Sequence, residues 1–281
     1  MTSLLNFLVI GIALGAIYGL IATSMGLIWQ STKVLDLAVG GYAAVAGMVA
    51  AALGFPLGIP VGLAAAVAAS LIMGMVFLGL QKRGVTDQIS AAFASIGLLF
   101  ASTSFVLWYF GTEPRFVEFI TGMWTFGGVS ISRQGSFNVA VAVLLVGLVL
   151  WVIYKTPMGE VLRATAISPR NAQLIGIPVR LVQLSMFAVS GLLAGMAGVL
   201  MVFTRGMSFG LGLTLTIAAF GAMIVFGVRG LVTALLGGLI IGVVEAVGAG
   251  YFPASVASMV PLIFILVVLV TGRFKLEGAR P

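Results

Sequence analysis

Long apolar runs separated by short breaks occupy almost the whole chain. They fall at 4–29, 35–54, 60–80, 88–110, 137–154, 181–203, 207–228, 231–250 and 255–272. Most are long enough to cross about 30 Å of hydrocarbon as a helix. The pattern predicts an all-α, polytopic transmembrane bundle of about nine spans, within a range of about eight to ten. Gly54-Phe55-Pro56 with Pro60 divides the second run from the third, Gln81-Lys82-Arg83-Gly84 closes the third, and Phe252-Pro253 divides the last two. No composition shift marks a second domain, so residues 1–281 read as one transmembrane domain. The polar interruption at about 155–180 stands apart.

In that interruption Thr156 can cap a helix with Pro157 at its first position, and Ser168-Pro169 repeats the arrangement. Two short helices follow. In the first, Met158, Val161, Leu162 and Thr165 share one face by helical spacing, and Glu160 and Arg163 share another. Gly176 is placed to end the second. A capped helix pair at the membrane surface makes a rigid knob for a cleft in a soluble partner. The alternative is a structured loop without a partner.

Composition narrows the chemistry. The chain is 61% hydrophobic and 7% charged with mean hydropathy +1.25, far from the charged fraction of about a quarter in soluble domains. It has no cysteine and no histidine, so disulfides, thiolate chemistry and the commonest metal ligand and general base are missing. No metal site and no catalytic residue are expected. The segment Leu4 to Trp29 lacks a basic start and a small-residue cleavage site, and reads as a retained span. The net charge of +7 is scattered at the ends of apolar runs, which argues against nucleic acid.

Charge sets orientation, because cytoplasmic loops retain Lys and Arg. With the 155–180 segment inside, Lys33, Lys82, Arg83, Lys155, Arg163, Arg170, Arg180, Arg229, Arg273, Lys275 and Arg280 are cytoplasmic, and Arg115, Arg133 and Arg205 are external. Nine spans then put the N-terminus outside. A broken or re-entrant segment near 30–40 would change that parity.

Small residues recur four apart at Gly11, Gly15 and Gly19, at Gly191 and Gly195, and at Gly238 and Gly242, as close helix packing in lipid requires. A charged residue at a span centre costs roughly 2.5–3.5 kcal/mol on insertion scales, so Glu245 invites explanation. It reads as an interhelical tether or as part of a solute path. Asp36 beside Lys33 reads as an ion pair at the cytoplasmic interface. Ser95, Thr103, Ser104, Thr214 and Thr216 either line a passage or bond their own helix carbonyls. The external stretch 111–135, with Glu113, Arg115, Glu118, Arg133, Phe116, Phe119, Trp124 and Phe126, suits either a docking protein or an interfacial aromatic belt.

Met158-Gly159-Glu160-Val161-Leu162-Arg163-Ala164, followed by Asn171-Ala172 and Gly176-Ile177, resembles the cytoplasmic coupling loop of branched-chain amino acid permeases, the membrane subunits of ABC importers. Gly15 to Ala22 resembles that family's opening span, Ser190 to Gly198 the span after its coupling loop, and Gly237 to Glu245 its late glycine-rich span. The likeness covers nearly the whole chain in the expected order. Three places depart from it. Asp36-Leu37-Ala38-Val39-Gly40-Gly41 stands for an Asn-Phe-Ala-His-Gly-type turn followed by an acid, Phe226-Gly227-Val228-Arg229-Gly230 for a Gly-Gly-x-Gly turn, and Arg273-Phe274-Lys275-Leu276-Glu277-Gly278 for an Arg-Pro-x-Gly-Leu-Phe-Gly ending.

The resemblance implies a type II-like ABC importer permease passing amino acids of the branched-chain type or a related small polar solute. It implies an ATPase-coupling loop at Met158, Gly159, Glu160, Val161, Leu162, Arg163, Ala164, Asn171 and Gly176. Thr103, Thr214, Thr216 and Glu245 are the path candidates. The implied partners are a second permease subunit, similar or identical, two cytoplasmic ATPase subunits, a periplasmic solute-binding protein and membrane lipid, in a bacterial inner membrane. The chain has no Gly-x-x-x-x-Gly-Lys-Ser/Thr loop, so ATP and Mg belong to the partner subunits and this chain binds no cofactor and is not itself an enzyme. The rival reading is a stand-alone secondary transporter or channel, for which Glu245 is nearly the only candidate coupling group.

Overall fold

The computed structural model describes residues 2–84, 88–126, 129–227, 230–253, 256 and 259–270. Arg229, Arg273, Lys275 and Arg280, the turn residue Val228 and the 273–278 ending lie outside the described residues. Eleven helices and one hairpin are described. In chain order they are α1 (Thr2–Thr32), α2 (Val39–Leu53), α3 (Gly58–Lys82), α4 (Gln88–Phe110), β1 (Met123–Phe126), β2 (Val129–Ser132), α5 (Arg133–Lys155), α6 (Pro157–Ile167), α7 (Pro169–Leu174), α8 (Val179–Thr204), α9 (Leu211–Val225), α10 (Leu231–Tyr251) and α11 (Val260–Val270). Six of them, α1, α3, α4, α5, α8 and α10, are long and apolar enough to cross a membrane. The apolar helices α2, α9 and α11 are shorter.

Glycine decides which helices meet. Gly11 lies against Gly242 and Val243, Gly15 against Gly238 and Leu239, and Gly19 against Leu235, so α1 and α10 cross antiparallel with backbones in contact. A Cβ on Gly15 would stand 2.6 Å from the Leu239 Cα, closer than van der Waals contact permits. The glycine triplet of α1 and the glycine pair of α10 are thus halves of one seam. Gly191 and Gly195 seat α8 against Ala66 and Ser70 of α3. α1 and α8 are the most buried spans, whereas α4 and α5 are the least buried.

The ends of the bundle follow from these contacts. Gly135 abuts Ala13, and Val149 shares a cavity wall with Leu27, so α5 runs alongside α1 in the same direction. Ser24 hydrogen-bonds Ser190 while Asn138 reaches Thr204, so α8 runs the opposite way. Arg115, Arg133 and Arg205 therefore share the end that holds the start of α1, and Lys33, Lys82, Lys155 and Arg163 share the other. Charge asymmetry and packing agree that the start of α1 and the 155–180 segment lie on opposite sides.

The second apolar run is not one helix. After Thr32 the chain turns at Lys33, with φ of 59°, and residues 34–36 have no regular secondary structure ahead of the turn at 37–38 and the start of α2. At 1.5 Å per residue α2 spans only about 22 Å, short of the roughly 30 Å of a hydrocarbon core. Backbone groups at membrane depth need partners other than water. Asp36 Oδ1 accepts from the Ala38 N–H, Ser95 Oγ accepts from the Leu37 N–H, and Thr216 Oγ1 accepts from the Gly40 N–H. Asp36 is wholly buried and its Oδ2 accepts from the Tyr42 hydroxyl, whereas Lys33 is exposed. The interfacial Asp36–Lys33 ion pair expected from the sequence is thus absent among the described residues. The acid supports the irregular backbone instead.

Candidate functional site

The sequence signals of the polar segment act as local chemistry predicts. Thr156 Oγ1 accepts from the Gly159 N–H and donates to the Val152 carbonyl, with Pro157 at the first helical position. Ser168 Oγ accepts from the Asn171 N–H ahead of Pro169. Gly176 takes φ of 85°, its N–H bonds the Gln173 carbonyl and the Ile177 N–H bonds the Ala172 carbonyl, a Schellman ending. α6 and α7 are therefore capped at both starts and stopped at the end.

The tertiary structure redistributes the faces of α6. Gly159 packs on the backbone of Val152 and Ile153. Leu162 turns under the helix into the bundle, where it lines a cavity with Leu27 and Met186, and Thr165 is buried. Arg163 does not share a free face with Glu160. Its Nη1 donates to the Ile153 carbonyl, and its guanidinium lies 5.7 Å from the centre of the Tyr154 ring. Exposed instead are apolar side chains the sequence did not single out as a set: Met158 at 71%, Ile167 at 85%, Leu174 at 80% and Ile175 at 75%. Ala164 is half-buried and Asn171 exposed. An exposed apolar rim with Arg170 and Glu160 beside it has the mixed character of a protein interface.

The polar groups inside the bundle serve separate places. Glu245 accepts from the Tyr18 hydroxyl at 2.6 Å and pairs with Arg205 Nη1 at 2.6 Å, joining α1 and α10 to the end of α8. That is the only ion pair among the described residues. Thr103 donates to its own helix at Leu99, and Thr216 holds Leu37 and Gly40. Thr214 is exposed on α9, its hydroxyl without a hydrogen bond among the described residues. Thr103, Thr214, Thr216 and Glu245 stand on three helices, α4, α9 and α10. Sequence reading missed Tyr18 and Arg205 as the partners of Glu245, because nothing in a linear chain announces pairs 227 and 40 residues apart. It also missed the turn role of Asp36, for which an acid three residues ahead of a helical start was the available signal.

At the end that holds the start of α1, part of the 111–135 stretch forms the antiparallel pair β1–β2, joining Trp124 with Ile131. Arg133 lies over the Trp124 ring and Arg115 over that of Phe110, while Phe119 stacks on Phe203 with centroids 4.8 Å apart. The Arg115 N–H and carbonyl both bond Met207, tying this stretch to the chain after α8.

The chain and its fold have known counterparts. The family model described as "Branched-chain amino acid transport system / permease component" matches residues 7–269. A probable branched-chain amino acid transport permease protein LivH from Methanocaldococcus jannaschii is 30% identical over 92% of this chain and 88% of its own length. The high-affinity branched-chain amino acid transport system permease protein BraD from Pseudomonas aeruginosa is 27% identical over 97% of both. Among solved structures, PsaBC from Streptococcus pneumoniae in complex with Fab shares the fold with a TM-score of 0.54 at 14% identity, over 98% of this chain and 94% of that one. A family match across nearly the whole length and a 30% identical relative place the chain in the family of branched-chain amino acid transport permeases, as a multi-pass membrane subunit of an ABC importer.

Proposed function

We propose that this subunit forms, with a second permease subunit of similar or identical kind, the path by which amino acids of the branched-chain type or a related small polar solute enter across the bacterial inner membrane. Two cytoplasmic ATPase subunits, which hold ATP and Mg, drive it, and a periplasmic solute-binding protein delivers the solute. The observation that carries this reading is the exposed apolar rim of Met158, Ile167, Leu174 and Ile175 on two capped helices at the cation-rich end of the bundle. An exposed hydrophobic surface on a rigid support is a place for a partner. In this reading α6 and α7 transmit the closure of the ATPases to the spans, with Gly159, Val161, Leu162, Arg163, Ala164 and Gly176 shaping the element and Met158, Glu160 and Asn171 on its outer side.

Of the four path candidates, Thr214 is the one we assign to the passage. Its hydroxyl is free among the described residues and exposed, whereas those of Thr103 and Thr216 are engaged and the Glu245 carboxylate is paired. The departures at Asp36 to Gly41 keep the solute class broad. The test is co-expression with the candidate ATPase and binding-protein subunits, followed by reconstitution. ATP-driven uptake that needs the binding protein is expected. Uptake by this chain alone under a proton or sodium gradient would instead establish a stand-alone transporter.

A further inference from the structure

Beneath α6 the bundle is hollow. A cavity of about 200 Å³ lies between α1, α5, α6 and α8, and a smaller one of about 40 Å³ adjoins it, the two sharing Leu27, Ile153, Leu162 and Met186. Their linings differ. The larger cavity is walled only by Leu, Val, Ile and Met, and includes Leu148 of α5 and Leu192 of α8, both exposed on the outer surface of the bundle. The smaller adds Gln30, Ser31 and Arg163. A polar end at the membrane surface and a hydrocarbon-lined end within it follow the order of groups in a phospholipid.

Charge points the same way. The Arg163 guanidinium carries five N–H donors. One nitrogen is committed to the Ile153 carbonyl and one face to Tyr154. No carboxylate pairs with it among the described residues, so no full negative charge faces it at the mouth. Dry apolar cavities accept apolar guests and not water, and in a membrane the guest at hand is an acyl chain.

The geometry points to a phospholipid site at this place. One acyl chain of a cytoplasmic-leaflet phospholipid enters past Leu148 and Leu192, and its phosphate rests on Arg163 beside Gln30. Because Leu162 and Arg163 belong to α6, the lipid props that helix against the bundle. This propping matters for transport only if α6 couples to an ATPase, as proposed above. Binding itself does not depend on that reading.

The full-length chain in detergent, freed of loosely held lipid, can be read by native mass spectrometry after titration with phosphatidylglycerol. We expect one tightly retained lipid per chain, lost when Leu148→Trp and Leu192→Trp together block the entrance. Arg163→Gln should weaken retention about fivefold, near the worth of one basic residue against an anionic headgroup, and Arg163→Lys should restore most of it. Inorganic phosphate alone should not compete. Undiminished retention in the tryptophan pair, displacement by inorganic phosphate, or detergent or a protein as the retained species would each overturn the site. If Arg163→Gln fails to fold, the tryptophan pair decides alone. Failure of the unsubstituted chain to associate with ATPase subunits, with lipid retention intact, would count against the coupling reading and leave this site standing.

Discussion

Arg163 reaches back ten residues to place Nη1 2.5 Å from the carbonyl oxygen of Ile153, in the last turn of α5. The final carbonyls of a helix have no partner within it. Thr156 satisfies that of Val152 and Arg163 that of Ile153, and a cation there also meets the negative end of the helix dipole. The elbow is fastened to the span before it rather than hung from a loop.

Removing that fastener should loosen α6 without unfolding the bundle. Arg163→Ala is expected to cost about 1–3 kcal/mol, the range for a hydrogen bond to a charged group and its unsatisfied acceptor. Proteolysis within 156–168 should accelerate in detergent, and Arg163→Lys should recover part of the protection. Unchanged cleavage rates would mean that the contact contributes nothing.

Changing the exposed rim should do the reverse. Ile167→Asp and Leu174→Asp lie at positions 85% and 80% exposed, so thermal stability should move by no more than about 0.5 kcal/mol. Co-purification of ATPase subunits should fall at least several-fold. Full retention with both substitutions present would remove the rim from the coupling surface.

The Glu245 junction should behave as a coupled set. Tyr18→Phe deletes one donor and Arg205→Ala the other, and a double-mutant cycle is expected to give an interaction energy of about 0.5–3 kcal/mol. A value near the lower end is expected, because the Arg205 side chain is 39% exposed and water screens it. Strict additivity in urea or thermal melts would show that the two bonds act independently.

Asp36 separates hydrogen bonding from charge. Asp36→Asn retains an acceptor for the Ala38 N–H or the Tyr42 hydroxyl and should keep the fold. Asp36→Leu abandons both donors in a buried place, at about 1–3 kcal/mol for each unsatisfied group. Detergent-solubilised yield and melting temperature should therefore rank wild type, Asn, Leu in falling order. A leucine variant as stable as wild type would contradict the backbone-support role.

Glycine positions of identical chemistry should differ in tolerance. Gly198 lies against the Ala43 backbone, so Gly198→Val must force α2 and α8 apart. A methyl group added at Gly97 on α4 would meet nothing within 4 Å beyond its own helix, so Gly97→Ala should leave the melting temperature of the isolated chain unchanged or slightly higher. Equal losses at both positions would argue against the α2–α8 seam.

The amino-acid order by itself determined the membrane class, the apolar segments, the placing of the polar elbow with most of the cations and the caps of α6 and α7. Those features rest on local physics: burial of long apolar runs, retention of cations on one side, and side chains bonding N–H groups a few residues away. The tertiary structure decided that Gly11, Gly15 and Gly19 face Gly238 and Gly242, that Arg163 turns inward while Ile167 and Leu174 face out, and that Tyr18 and Arg205 share Glu245. It also broke the second apolar run ahead of α2. Hydrophobicity permits a helix or a buried irregular backbone at that place, and only the arrival of Ser95 and Thr216 from distant helices supplies the hydrogen bonds that let the helix give way.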